Sequence, residues 1–132
     1  MEKFSDFHEL SNALQNEERW PEAFRMLSCF LFLAINVAER ERVTVLFETR
    51  DTRRTAGELA AKAPIEAMRF ALDFHGAMGV EINGFGHFAS YKVRISPNRN
   101  HNAIFTGNNS SVEFEFINVR LAWDRKFRMG RP

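Results

Sequence analysis

Few residues in this sequence of 132 residues have the type and spacing that catalysis requires. Arg69 and His75 are six positions apart; an arginine can stabilise a developing negative charge, and a histidine can transfer a proton. Glu113 and Glu115 alternate along a strand-like segment, where two carboxylates could act as acid and base, although such a pair is more typical of a solvated face. No histidine has a second ligand at metal-binding spacing. We therefore expect no catalytic residues, no metal and no cofactor, and nothing in the sequence argues for an enzyme.

The spacing R-x5-H of Arg69 and His75 resembles the ribonuclease motif of HEPN domains, in which an arginine and a histidine act on the phosphate. The resemblance covers seven residues and departs from the family pattern at Phe70, where a polar residue usually follows the arginine. HEPN domains are helical bundles, whereas the second half of this sequence has the alternation of strands. We therefore expect His75 to be a partly buried structural histidine, and no activity is transferred from the family.

Cys29 is the single cysteine, which excludes an intrachain disulfide and a cysteine zinc site. It lies in an apolar, helix-like run, and this predicts a buried thiol. Neither G-x-S-x-G nor G-x-x-x-x-G-K-[ST] occurs, so two common catalytic and phosphate-binding motifs are missing. The acidic, polar start is unlike a secretory signal, and the apolar run 26–38 is too short to cross a bilayer. These features predict a cytoplasmic protein that does not bind membranes.

Charge is unevenly distributed, although the net charge is only +1. Residues 1–52 contain six Lys and Arg against ten Asp and Glu, whereas residues 53–132 contain twelve against seven. Basic residues interleaved with aromatic rings can anchor a protein partner, or can hold phosphates and stack bases; a solvated charged tail is the simplest alternative. The predicted partner-binding residues are Arg50, Arg53, Arg54, Arg120, Trp123, Arg125, Lys126, Phe127 and Arg128.

The first third of the sequence predicts two helices. Phe7, Leu10 and Leu14 form an apolar stripe after Ser5, which is a suitable N-cap. Pro21 suits the first turn of a longer helix that continues through residue 42. Apolar side chains surround that helix over residues 26–38, which predicts that it is the buried central helix.

The segment 55–79 has the pattern of two helices joined by a turn, with Thr55 as an N-cap and Pro64 opening a helix over residues 65–78. Glycines end that helix and a hairpin-like stretch follows, so the layout imitates a winged helix-turn-helix. The exposed helix face would carry two acids and one base, which is unsuitable for contacting DNA. We therefore expect two helices packed on a sheet. The preceding segment 43–49 fits a strand or an extension of the central helix.

The second half of the sequence predicts strands. Residues 85–95 alternate, residues 96–102 form a polar loop, and residues 102–106 and 112–123 form a hairpin across a turn-prone stretch. The apolar set changes parity after Phe116, and this predicts a β-bulge there. The predicted fold is α+β, with N-terminal helices packed on a C-terminal antiparallel β-sheet in a single domain, residues 1–132.

These observations predict a small non-enzymatic protein-binding module, an adaptor or inhibitor-type accessory factor that occludes a partner's surface. A phage or mobile-element origin is one hypothesis. Fourteen phenylalanines must fill a core, an interface or a stacking surface, and an open sheet edge would allow a homodimer or a docked partner. The alternative function is a nucleic-acid-binding regulator that uses the C-terminal basic and aromatic stretch, although the nearly neutral net charge disfavours it.

Overall fold

The described part of the chain contains three α-helices and eight β-strands. The computed structural model describes residues 4–38, 41–51, 55–84, 88–94, 101–107 and 109–129. The helices are α1 (Ser5–Leu14), α2 (Trp20–Met26) and α3 (Ala56–Ala60), with short 3-10 turns at Glu17–Arg19 and Leu27–Cys29. The strands are β1 (Leu31–Ala38), β2 (Arg42–Asp51), β3 (Ile65–His75), β4 (Met78–Asn83), β5 (Phe88–Arg94), β6 (His101–Gly107), β7 (Ser110–Phe116) and β8 (Asn118–Met129).

The strands form two four-stranded antiparallel sheets. The first sheet has the order β1-β2-β3-β8, and the second has the order β4-β7-β6-β5. The predicted α+β class with antiparallel pairing is confirmed, with short helices and mostly strands. There are two sheets where one was predicted. Strand structure already begins at Leu31, so the first half of the chain also contributes strands.

Two strands pass from one sheet to the other at a shared corner. β3 continues into β4 through Gly76 and Ala77, and β7 continues into β8 through Ile117. The two bends lie side by side, since the amide of Ile117 donates a hydrogen bond to the carbonyl oxygen of His75 (2.9 Å). Gly76 has φ +69°, and a Cβ there would lie 2.9 Å from Cδ1 of Ile117, so the bend favours glycine. One bent ribbon therefore connects the two sheets.

Phenylalanine rings fill the space between the sheets and the helices. The ring centroid of Phe74 in β3 lies 4.9 Å from that of Phe116 and 5.4 Å from that of Phe114. The ring centroid of Phe24 in α2 lies 6.2 Å from that of Phe74 in the first sheet and 6.2 Å from that of Phe116 in the second. α2 therefore packs on the inner faces of both sheets. Other buried rings of this core are Phe7, Phe30, Phe47, Phe70 and Phe105. The large phenylalanine content thus serves mainly as a core.

The first helix agrees with its sequence pattern. Phe7, Leu10 and Leu14 are buried on one side of α1, as the apolar stripe predicts. The capping position is occupied by Phe4, which has a left-handed backbone conformation (φ 59°) and no capping side-chain bond. Ser5 therefore lies inside the first turn and does not cap the helix.

The predicted buried central helix is wrong. α2 contains Pro21 in its first turn as predicted, but it ends at Met26, and residues 31–38 form β1. A continuous apolar run is compatible with a buried helix and with a buried strand, so periodicity could not separate them. Pairing with β2 decides in favour of the strand, because it places Ile35 opposite the buried Val45.

Two neighbouring features agree with the sequence pattern. The segment 43–49, for which strand and helix were both open, lies within β2, and every second residue from Val43 to Phe47 is fully buried. Thr55 caps α3 through a capping box, in which its hydroxyl accepts from the amide of Glu58 at 3.1 Å.

The helix predicted over residues 65–78 is wrong. This segment forms β3, which pairs with β2 on one side and with β8 on the other. Its even-numbered residues from Met68 to Phe74 are fully buried, whereas Arg69 is exposed and Asp73 is half-buried. The apolar residues of this segment fit both the stripe of a helix and the alternation of a strand. Pairing with two neighbouring strands makes the segment a strand. The helix-turn-helix interpretation and the interpretation as two packed helices are therefore both wrong.

The predicted hairpin of the second half is found as β6 and β7. Val112, Phe114 and Phe116 are buried on one face of β7, as the alternation predicts. The parity shift after Phe116 is a bend between two sheets at Ile117, where we predicted a bulge within one strand.

The strand predicted over residues 85–95 is found as β5, while residues 85–87 and 95 lie outside the described residues. The predicted polar loop lies outside them up to residue 100, and His101 begins β6. Within the described ranges, no helix has the length and apolar character needed to span a bilayer.

Candidate functional site

The outward side of the first sheet combines charged and aromatic side chains from three strands. The register places residues of β2, β3 and β8 opposite one another in cross-strand rows. The rows are Thr44–Asp73–Arg120, Leu46–Ala71–Trp123, Glu48–Arg69–Arg125 and Arg50–Ala67–Phe127. We call these residues the arginine face.

Glu48 organises the centre of the arginine face. It is 2% exposed, and its carboxylate oxygens accept hydrogen bonds from Nε of Arg50 (3.0 Å) and Nε of Arg69 (3.1 Å). The side chains of Arg50 and Arg69 are 46% and 50% exposed, so each guanidinium group remains accessible to solvent. Charge-assisted hydrogen bonds of this kind hold both cations in place. The buried carboxylate thus presents two oriented guanidinium groups.

Two aromatic rings lie beside these cations. Cζ of Arg69 lies 4.8 Å from the centroid of the Phe127 ring, which is a cation–π contact. Trp123 is 45% exposed and pairs with Ala71, whose side chain is too small to cover an indole. The β3–β8 register shifts between Ala71 and Leu72, and this irregularity places the indole on the solvent side.

Several cations of β8 have no partner in the described part of the chain. Arg120, Arg125 and Arg128 form no hydrogen bond or ion pair with any described residue. Asp73, which lies opposite Arg120, accepts a hydrogen bond from the hydroxyl of Thr44 at 2.6 Å. These guanidinium groups can therefore bind carboxylates or phosphates of another molecule without breaking a hydrogen bond or ion pair to the described residues.

A hollow of about 400 Å³ lies beside the end of β8. Its described lining residues are Phe4, Glu66, Lys126, Phe127 and Arg128. Nζ of Lys126 lies 5.8 Å from the centroid of the Phe4 ring, so this cation is positioned next to the start of α1. The hollow places two cations, Lys126 and Arg128, beside the end of β8, on the side of the strand opposite the arginine face.

Part of the predicted partner-binding set comes together on one surface. The members that share the arginine face are Arg50, Arg120, Trp123, Arg125 and Phe127. Lys126 and Arg128 lie on the opposite side of β8, because successive side chains of a strand alternate. Arg53 and Arg54 lie outside the described residues.

Two residues that organise this surface, Glu48 and Arg69, are absent from the predicted set. On the predicted helix, Arg69 would pair with Asp73 at i,i+4, whereas on β3 it bonds Glu48 of the neighbouring strand. The pattern that could have identified these residues is the alternation of polar or charged positions with apolar ones along 43–51 and 65–75.

The Arg69–His75 spacing does not form a phosphate site. The two residues are six positions apart on an extended strand, which separates them by about 20 Å at roughly 3.3 Å per residue. His75 is half-buried at the corner between the sheets, in keeping with a structural histidine. Its Nε2 atom is buried and has no hydrogen-bond partner among the residues that the structure describes.

Other candidate chemical groups of the sequence are also separated. Cys29 is exposed in the turn that precedes β1, so the prediction of a buried thiol is wrong. Glu113 accepts a hydrogen bond from Nδ2 of Asn102 (3.4 Å), and Glu115 is exposed on the second sheet. Among the described residues, no group of three or more His, Cys, Asp or Glu side chains could hold a metal ion.

Comparisons with protein-family models, with curated proteins and with solved structures find no match to this chain. The arginine face is therefore the basis on which a function can be inferred.

Proposed function

We propose that this chain is a non-enzymatic protein-binding module, an adaptor or inhibitor-type accessory factor that occupies a partner's surface with its arginine face. The observation that carries this proposal is the exposed indole of Trp123, which lies on one sheet face with arginines oriented by the buried Glu48. Arg, Trp and Phe are enriched at the centres of protein interfaces, where a few such residues contribute most of the binding energy.

The rigidity of this face favours binding. Glu48 already holds Arg50 and Arg69, so these side chains lose little conformational freedom when a partner binds. The rows across β2, β3 and β8 also keep the side chains at fixed spacing. A preorganised surface binds more tightly than a flexible tail with the same residues.

A nucleic-acid-binding regulator is the second candidate. The exposed ring of Trp123 could stack on a base, and Arg120 and Arg125, which form no ion pair with a described residue, could contact phosphates. The net charge of only +1 disfavours this candidate, because dedicated nucleic-acid-binding proteins are often clearly basic. We therefore favour a protein partner.

Affinity capture with matched variants tests the protein-binding proposal. The wild-type chain, a Trp123→Ala/Arg125→Ala double variant and an Ile82→Ala control are each incubated with a lysate of the source organism. Ile82 is 59% exposed on β4 of the second sheet, so the control removes exposed apolar surface away from the arginine face. We expect a protein that the wild type and the control retain and the double variant loses. The purified partner should bind the double variant about tenfold or more weakly.

Other outcomes would contradict the proposal. Retention of the same proteins by all three chains would exclude the arginine face as the binding surface. Oligonucleotide binding that falls steeply with salt, together with loss of capture after nuclease treatment, would favour the second candidate. Light scattering over a concentration series tests whether the partner is a second copy, and a monomer at every concentration would exclude a homo-oligomer.

A further inference from the structure

The first sheet has an open edge at β8. This strand is last in the order β1-β2-β3-β8, and its 12 residues make it the longest of the described strands. Within the described ranges, no strand pairs with its outer side. At the opposite edge, Cα atoms of β1 lie within 8 Å of Cα atoms of β5, so that side of the molecule is partly closed. β4, an edge strand of the second sheet, has only 6 residues.

The β8 edge is strongly basic. Residues 118–129 contain Arg120, Arg125, Lys126 and Arg128 against the single acid Asp124, a net charge of +3. Cations on an edge strand oppose pairing with a second copy of the same strand, because like charges would face each other. A strand with acidic side chains would instead form opposite-charge pairs at the same positions.

We propose that the β8 edge binds an extended acidic segment of the partner protein, which joins the first sheet as an additional strand. This inference rests on the proposed protein-binding function and specifies the chemistry of the partner. Backbone groups of β8 that point away from β3 supply the hydrogen bonds of the new pair. Side chains of the added strand alternate between the two sides of the sheet.

The positions of the β8 cations match such an added strand. Acidic side chains on the outward side lie beside Arg120 and Arg125, and those on the other side lie beside Lys126 and Arg128 at the hollow. The added strand also lies beside the exposed ring of Trp123. The edge and the arginine face thus form one continuous surface.

Peptide selection with the full chain tests this inference. A phage-displayed library of random peptides, each about as long as β8, is panned against the wild-type chain, and enriched peptides are synthesised. We expect Asp and Glu at alternate positions and no proline in the centre, because proline cannot donate a ladder hydrogen bond. Methylation of one central peptide amide that faces β8 should weaken binding by about threefold to tenfold, since one backbone hydrogen bond is lost.

A charge-reversal pair tests the role of the cations. Arg125→Glu should weaken binding of the acidic peptides by about threefold or more, because an opposite-charge pair becomes a like-charge pair. The introduced carboxylate lies opposite Arg69, so the variant should still fold. Arg25→Glu on the exposed surface of α2 is the matched control and should retain the affinity of the wild type.

Amide hydrogen exchange measured by NMR locates the bound peptide. Edge pairing predicts that alternate β8 amides, those directed away from β3, exchange at least about tenfold more slowly in the complex. The amides of β4 should be unchanged.

The outcomes separate this inference from the proposed function. Peptides that need Trp123 but leave the β8 amides unprotected and tolerate methylation would overturn edge pairing and leave the arginine face as the binding surface. No enriched peptide, or peptides that need neither Trp123 nor β8, would count against both. Enrichment of neutral or basic peptides would overturn the acidic assignment.

Displacement of the peptides by single-stranded oligonucleotides at low salt would assign the surface to nucleic acid. A dimer with protected β8 amides in the absence of peptide would assign the edge to a second copy.

Discussion

Nε of Arg69 donates a hydrogen bond to the buried carboxylate of Glu48 at 3.1 Å, across the β2–β3 pair. The two residues lie directly opposite each other in the register, although they are 21 positions apart in the sequence. The same carboxylate accepts from Nε of Arg50, so one buried acid orients two half-exposed cations. This contact makes the outward side of the first sheet a preformed surface.

Glu48→Gln should destabilise the chain and loosen the arginine face. The substitution retains the volume of the side chain and removes the charge that both arginines contact. We expect the free energy of unfolding to fall by about 1–2 kcal/mol. This is less than the sum of two charge-assisted hydrogen bonds, because the half-exposed arginines regain contacts with water. Urea unfolding measures the change. Glu81→Gln is the control and should not destabilise, since Glu81 lies opposite Glu113 and its charge is repelled there. Equal stability of both variants would contradict the role assigned to Glu48.

Leu72→Ala and Met78→Ala distinguish a strand from a helix over residues 65–78. Leu72 is fully buried in the strand, whereas Met78 is 37% exposed. On a helix over residues 65–78, Met78 would lie on the same apolar side as Phe70 and Phe74. We expect Leu72→Ala to lower the free energy of unfolding by about 2–5 kcal/mol. Met78→Ala should cost less than about 1 kcal/mol, since a partly exposed side chain contributes little burial. Denaturant titration of both variants gives the comparison, and a larger effect at Met78 would contradict the strand.

Tryptophan fluorescence should separate Trp20 from Trp123. Trp20 is 4% exposed and its indole nitrogen donates to the carbonyl oxygen of Leu14 (3.0 Å), whereas Trp123 is 45% exposed. In Trp20→Phe, the remaining emission should lie at long wavelength and be quenched strongly by acrylamide. In Trp123→Phe, emission should lie at shorter wavelength and resist quenching. A protected indole in the Trp20→Phe protein would mean that Trp123 faces the core, and the register irregularity of β8 would then be wrong.

Gly84→Ala should be strongly destabilising, while Gly57→Ala should not be. Gly84 has φ +72°, and a Cβ there would overlap the carbonyl oxygen of Asn109, so the backbone would have to move. We expect a cost of at least about 1–3 kcal/mol from the strained conformation alone. Gly57 lies in α3, where a Cβ meets nothing closer than 3.9 Å, and alanine should stabilise that helix by about 0.5–1 kcal/mol. Thermal unfolding of the two variants checks the opposite signs.

Local patterns predicted the elements whose structure depends on neighbouring residues. The stripe of α1 and the capping box of Thr55 each involve side chains within a few positions of one another. The hairpin of β6 and β7 is likewise formed by adjacent segments. The helices predicted over 21–42 and 65–78 are wrong because β1 and β3 are determined by pairing with strands. For β3, one of these partners, β8, lies about fifty residues away in the sequence.

The amino-acid sequence alone determined an α+β chain with antiparallel strands, a high phenylalanine content and a basic, aromatic stretch in its last part, since these depend on composition and on spacing between near neighbours. Only the tertiary structure decided that Arg50 and Arg69 join that stretch, and that Trp123 faces solvent while Lys126 lies on the other side of β8. The physical reason is that strand register depends on long-range backbone hydrogen bonds and on burial of one sheet face. A shift of a single residue at Ala71 reverses which side chains reach the surface.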